Sequence, residues 1–172
     1  SYSNTVAAIP PELTSLTIAS NNSDVTKAKP TDEVTITVSY DMSMNPPNVS
    51  FESNSVDVSD NNLRINPVND TNYDWTIKYT VDSVDADGVV SFTVDASSLT
   101  TATNALQATA TTNSSSVSVD TTVPTITNST INSNNDTITL TFSEPVYNTS
   151  SYIDTDLSYS LATNGSQDYL FT

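Results

Sequence analysis

Four aspartates in or beside turns, Asp82, Asp85, Asp87 and Asp120, come closest to carrying chemistry by type and spacing. A hard divalent cation needs several oxygen ligands, and Asp85-Ala86-Asp87-Gly88 is spaced like the middle of a calcium loop, although the distal Glu of a full EF-type loop is absent. This marks Asp85, Asp87 and Asp120 as candidate metal ligands and calcium as the candidate cofactor. The competing reading assigns the same carboxylates to Asx turns and a solvated surface. Glu12, Glu33, Glu52 and Glu144, together with the aspartates, allow many carboxylate pairs of the kind a glycosidase uses, but the spacing singles out none. Glu144 precedes Pro145 at a strand end, where a structural role is the ordinary explanation. The chain has no Cys and no His, which excludes thiolate and Ser-His chemistry and the usual zinc sites. No catalytic residue is assigned, and the expectation is a protein that is not an enzyme.

Other side chains invite narrower ideas. Lys78 lies among strand aromatics, a setting compatible with an intramolecular isopeptide bond, but its phase points it away from the Trp75/Ile77/Tyr79 face and reads as a solvated lysine. Trp75 with Tyr73, Tyr79, Tyr147, Tyr152 and Tyr159 could form a sugar-stacking platform. Trp75 shares its phase with aliphatic residues, however, so core packing is the stronger reading, with the last three tyrosines less constrained. Asn-x-Ser/Thr occurs at Asn21, Asn48, Asn69, Asn113, Asn128, Asn135, Asn148 and Asn164. With so much Asn, Ser and Thr, about 6 sequons arise by chance, so their number is nearly uninformative.

The elements that must hold these residues are strands. Strict apolar/polar alternation dominates, most clearly in Trp75, Ile77, Tyr79 and Val81, and again in Val34, Ile36, Val38 and Tyr40. The same period runs through Val49 and Phe51, Val56 and Val58, Leu63 and Ile65, Val90 to Val94, Val117 and Val119, and Ile138 to Phe142. Turn clusters separate them: Ser59–Asn62, Asn69–Asn72 and Asp85–Gly88. With only Gly88 and Gly165 available, left-handed positions should fall mostly to Asn and Asp. The alternation lapses over Ala96–Ala110, where Ser97-Ser98-Leu99 could form a short helical turn. The pattern predicts an antiparallel β-sandwich.

Composition supports this and narrows the partners. Of 172 residues, 19 are Asn, 27 Ser and 29 Thr, and four basic residues against twenty acidic ones leave a net charge of −16. Such a surface cannot neutralise phosphates, which excludes a nucleic-acid binder. The longest apolar run, Val6–Ile9, is too short to span a bilayer or to form a signal-peptide core, so an exported chain would be in its mature form.

The chain also repeats. Pro11–Asn22 matches Pro124–Asn135 at seven of twelve positions at offset 113, and Ile36–Tyr40 matches Ile138–Phe142 at offset 102, which places an 11-residue insertion around Val25–Glu33 of the first copy. A unit of about 113 residues suits a sandwich domain. The reading is a linker or donor strand over 1–9, a sandwich over 10–120, and the first part of a second sandwich over 121–172, continued in a longer chain or completed by strand addition.

Val119-Asp120-Thr121-Thr122-Val123-Pro124-Thr125 resembles the junction between bacterial Ig-like repeats of cell-surface and adhesin-type proteins. Asp85–Val94 is similar to the late hairpin of those repeats, and Thr139–Val146 to a second-strand signature of a related class, although Gly and Lys are scarcer here than in typical members. The resemblance implies an all-β fold of tandem immunoglobulin-like antiparallel β-sandwiches, the second incomplete. It also implies an extracellular or cell-surface location and a stalk, adhesin or filament role as a spacer, with neighbouring repeats or other copies as partners. In that family junction carboxylates often bind calcium, which would make Asp120 an interdomain ligand. The alternatives are a carbohydrate-binding accessory domain, with glycans as partners, or a surface-layer or fibre subunit assembling by strand exchange.

Overall fold

Alternating Thr/Ser and Val/Ile residues give a chain that can bury one face of each strand and hydrate the other, and strands built this way make up the fold. A computed structural model describes residues 7–58, 63–101, 103–134 and 137–146, and no helix occurs among them. The chain divides into two units, Ser1–Thr122 and Val123–Thr172, two residues beyond the boundary read from sequence.

Unit 1 is two sheets around one core. The first has four strands, in the order β1 (Leu13–Ser20), β3 (Glu33–Tyr40), β7 (Asp74–Thr80), β6 (Arg64–Pro67). The second has five, in the order β2 (Lys27–Ala28), β9 (Ser118–Val119), β8 (Gly88–Asp95), β4 (Asn48–Ser53), β5 (Val56–Asp57). In the first sheet Ile18, Ile36, Ile77 and Ile65 lie in register across all four strands. Ile36 and Ile77 are fully buried, and Val49, Phe51, Phe92 and Val94 of the second sheet join the same core. The Phe51 and Tyr79 rings meet with centroids 4.8 Å apart, tilted by 47°. Among the described residues every pairing is antiparallel except β2 with β9, which is parallel. That exception follows from the path of the first strand. After β1 the chain leaves the first sheet and enters the second as β2, in the 11-residue insertion inferred from the repeat, so the opening and closing segments of unit 1 run the same way.

The Tyr79 hydroxyl is buried and has no hydrogen-bond partner among the described residues, and burial first, then the nearby Asp85 charge, pushes its pKa well above the ordinary value. Tyr40 is pushed up to about 12, again by burial first and then by Asp95. An orphaned hydroxyl in an apolar core is a net cost. Tyr79→Phe is therefore expected to raise the unfolding free energy by about 1 kcal/mol, read from denaturant unfolding.

Two local expectations are corrected. Positive φ among non-glycine residues falls on Asn54 and Asn72 but also on Thr31, Ser55 and Ser114, and on no Asp, among the described residues. Asn54-Ser55, both left-handed, form the tight β4–β5 turn whose twist suits a two-residue hairpin. Ser97–Leu99 is not helical. Ser97 and Ser98 make isolated bridges to Asn104 and Met44, and the buried Ser98 hydroxyl accepts the Thr100 and Thr101 amides at 3.2 and 3.1 Å, closing a serine-capped turn. The Ser59–Asn62 cluster lies outside the described residues.

Unit 2 shows an antiparallel hairpin, β10 (Ile126–Ile131) with β11 (Ile138–Phe142). Its pairing repeats that of β1 and β3 residue for residue. Leu13↔Tyr40, Leu16↔Val38 and Ile18↔Ile36 become Ile126↔Phe142, Ser129↔Leu140 and Ile131↔Ile138, with a register irregularity at the matching place, Leu13/Ser15 and Ile126/Asn128.

Candidate functional site

The turn Asp82–Gly88 hangs between β7 and β8 and is closed on itself. The Asp82 amide donates to Asp85 Oδ2 at 2.8 Å and the Asp85 amide to the Asp82 carbonyl at 3.2 Å, which leaves Asp85 buried. Asp87 faces the chain leaving β9. Its Oδ1 accepts the Thr121 amide at 2.6 Å and the Thr121 hydroxyl at 2.7 Å, and its Oδ2 accepts the Thr122 hydroxyl. Thr121 Oγ1 also lies 3.3 Å from the Asp85 carbonyl, and Asp120 Oδ1 takes the Thr122 amide at 3.2 Å in an Asx turn. The Asp-Thr-Thr segment is thus latched onto unit 1 by one carboxylate.

These bonds favour the charged form. Hydrogen bonds from the Thr122 hydroxyl and the Thr121 amide and hydroxyl hold Asp87 below its ordinary value of 3.8. At Asp32, burial opposes ionisation, but the Asn22 side chain, the Lys29 amide and the Lys29 ammonium outweigh it and leave that group lowered from 3.8 as well. A depressed folded pKa stabilises fully above the unfolded value and is lost as pH falls through the folded one. Urea midpoints are therefore expected to be insensitive to these two groups above about pH 5 and to fall progressively below 3.8, less so in Asp87→Asn.

Asp85, Asp87 and Asp120 come to the same end of unit 1, yet each carboxylate is committed separately to amides and hydroxyls. No group of three or more acidic ligands able to hold a metal ion occurs among the described residues. As arranged, the three do not fit a shared calcium; an ion would have to draw Asp87 away from both threonines. A thermal melt in calcium is therefore expected to match one in chelator, and an upward shift in calcium would show that the ion reorganises the junction.

The remaining candidates separate clearly. Lys78 pairs with Glu33 at 2.6 Å on the outer face, and Arg64 approaches the same carboxylate at 3.6 Å. Trp75 is buried, its indole donating to the Asn72 carbonyl at 3.1 Å, and Tyr79 is also buried in the core, while Tyr73 is exposed. Tyr147, Tyr152 and Tyr159 lie outside the described residues. Glu12 is exposed, Glu52 accepts from Ser91 at 3.3 Å, and Glu144 Oε1 has no hydrogen-bond partner among the described residues. Asn21 ties the chain after β1 to the start of β3 by accepting the Glu33 amide at 2.8 Å, and Asn69 and Asn113 accept the amides two residues ahead, so two sequon asparagines serve turns. Asn48 and Asn128 are exposed on strands, and Asn135, Asn148 and Asn164 lie outside the described residues.

Sequence reasoning missed a clasp that recurs in both units. In unit 1 the Glu12 amide donates to Asp41 Oδ1 at 2.8 Å while the Asp41 amide donates to the Glu12 carbonyl at 3.1 Å. In unit 2 the Thr125 amide donates to Ser143 Oγ at 2.9 Å and the Ser143 amide to the Thr125 carbonyl at 2.8 Å. The signal was available: Asp41 and Ser143 directly follow the matched pentapeptides and are both short oxygen acceptors. No protein-family model matches this chain, and no curated protein matches it.

Proposed function

We propose that this chain is part of a non-enzymatic array of Ig-like β-sandwich units in an extracellular stalk, adhesin or filament, where it holds other components at a distance. The observation that carries this reading is the recurrence in unit 2 of the β1–β3 register, its irregularity and its reciprocal clasp. A stretch of chain that rebuilds the same local geometry to the residue is best explained as a repeated module, and repeated modules joined by short polar linkers act as spacers. The strong negative charge fits an exposed surface that resists sticking to its neighbours. Antibodies raised against unit 1 should label intact source cells at their surface; label confined to the cell interior would overturn the location.

Strand exchange is the second reading. It is favoured by the exposure of Ile131 on β10, at the position whose unit 1 counterpart, Ile18, is buried. A surface-layer or fibre subunit would cover such a face with a strand from another copy. Chemical cross-linking of purified chain at increasing concentration would then give ladders of multimers. The carbohydrate-binding reading loses its main stacking residue, because Trp75 is in the core.

A further inference from the structure

We propose that the seam between the opening and closing segments of unit 1 is a mechanical clamp, and that the hydroxyls of Thr112 and Ser115 set its strength. β1 is an edge strand of the first sheet, so one side of its backbone has no strand partner among the described residues. That side is closed instead by the Thr112–Ser115 segment, through two hydroxyls and one backbone amide. Thr112 Oγ1 accepts the Leu16 amide at 3.0 Å, Ser115 Oγ accepts the Ile18 amide at 2.9 Å, and the Thr112 amide returns a bond to the Leu16 carbonyl at 2.8 Å. Contacts advance in step along both segments, so they run parallel. The seam continues through the parallel β2–β9 pair, where the Ser118 amide donates to the Thr26 carbonyl and the Asp120 amide to the Ala28 carbonyl, each at 2.9 Å.

Direction decides the mechanical consequence. When two parallel segments are drawn apart by their outer ends, one toward its start and the other toward its finish, they slide along each other. Every bond of the seam then bears load together and must break nearly together. An antiparallel hairpin pulled from its open end instead breaks one bond at a time. The hydroxyls matter because they take the Leu16 and Ile18 amides along the seam, so they carry load directly between the two segments. This inference rests on the reading that the unit is pulled through its two ends, but the clamp is a property of the folded unit and is measured on the single chain. Its failure would leave the array reading standing, and failure of the array reading would leave the clamp measurable.

The chain contains no Cys, so engineered pairs give clean attachment points for single-molecule pulling. The full chain pulled through its two termini is compared with Thr112→Val/Ser115→Ala at constant force. Loss of two seam bonds is expected to raise the unfolding rate of unit 1 about tenfold, with Thr112→Ser close to the parent. Pulling instead through Val56→Cys and Val68→Cys, exposed positions near the β5 and β6 edges away from the seam, should unfold the parent at lower force and leave the double variant's rate unchanged. An unchanged rate in the terminal geometry, or an equal rise in both geometries, would overturn the clamp. Circular dichroism of the double variant verifies that it is folded, and if it is not, Ser115→Ala alone carries the same comparison with a smaller expected rise.

Discussion

Ile36→Ala is expected to lower the unfolding free energy of unit 1 by about 2–5 kcal/mol. Ile36 is fully buried and sits at the centre of the ladder Ile18–Ile36–Ile77–Ile65, against aromatic and aliphatic residues of the opposite sheet. Removing three carbons there forfeits their transfer free energy and leaves a cavity that paired strands on both sides cannot collapse. A domain of this size has only about 5–15 kcal/mol in total. Its core is also thin, because Asn, Ser and Thr take up so much of the chain. Trp75 is the only tryptophan and is buried in the same sheet, so its fluorescence reports the transition directly. A loss under about 0.5 kcal/mol would show that Ile36 is not enclosed as described.

Gly88→Ala should cost about 2–4 kcal/mol by a different route. Gly88 opens β8 with φ of +147°, a conformation that L side chains rarely adopt, and an added Cβ would lie 2.7 Å from Asn54 Cβ. Asn54 cannot retreat easily, because it is itself left-handed in the tight β4–β5 turn and its amide donates to the Val89 carbonyl at 3.2 Å. Relief must come from the turn or from the start of β8, and β8 at that point pairs with β9. Denaturant unfolding followed through Trp75 measures the loss. Gly88→Ala with parent-like stability would mean that the turn yields without strain.

The strands were legible because alternation survives even in a composition so rich in Asn, Ser and Thr: Val34–Tyr40 and Trp75–Tyr79 place every apolar residue inside. The burial of Trp75 and the outward Lys78 follow from the same period. Val117 and Val119 marked the strand that became β9, but β2 is only two residues long and too short to have a period, and the parallel pairing of the two depends on the chain changing sheets after β1. Thr112 and Ser115 are two hydroxyls among 56 Ser and Thr residues, with nothing local to mark them as covering an edge. The Asp87 latch was half legible. Its turn and the Asp-Thr-Thr junction both stood out, but not that the carboxylate would spend both oxygens on the two threonines rather than on an ion.

The repeat of register and clasp is the foundation of the proposed array, and the native polypeptide tests it most directly. Extract from the source, run on a denaturing gel and probed with antibody to unit 1, should show a band far above the 18.4 kDa of this chain. A band at 18.4 kDa would contradict the array and leave strand exchange between short subunits as the reading to pursue.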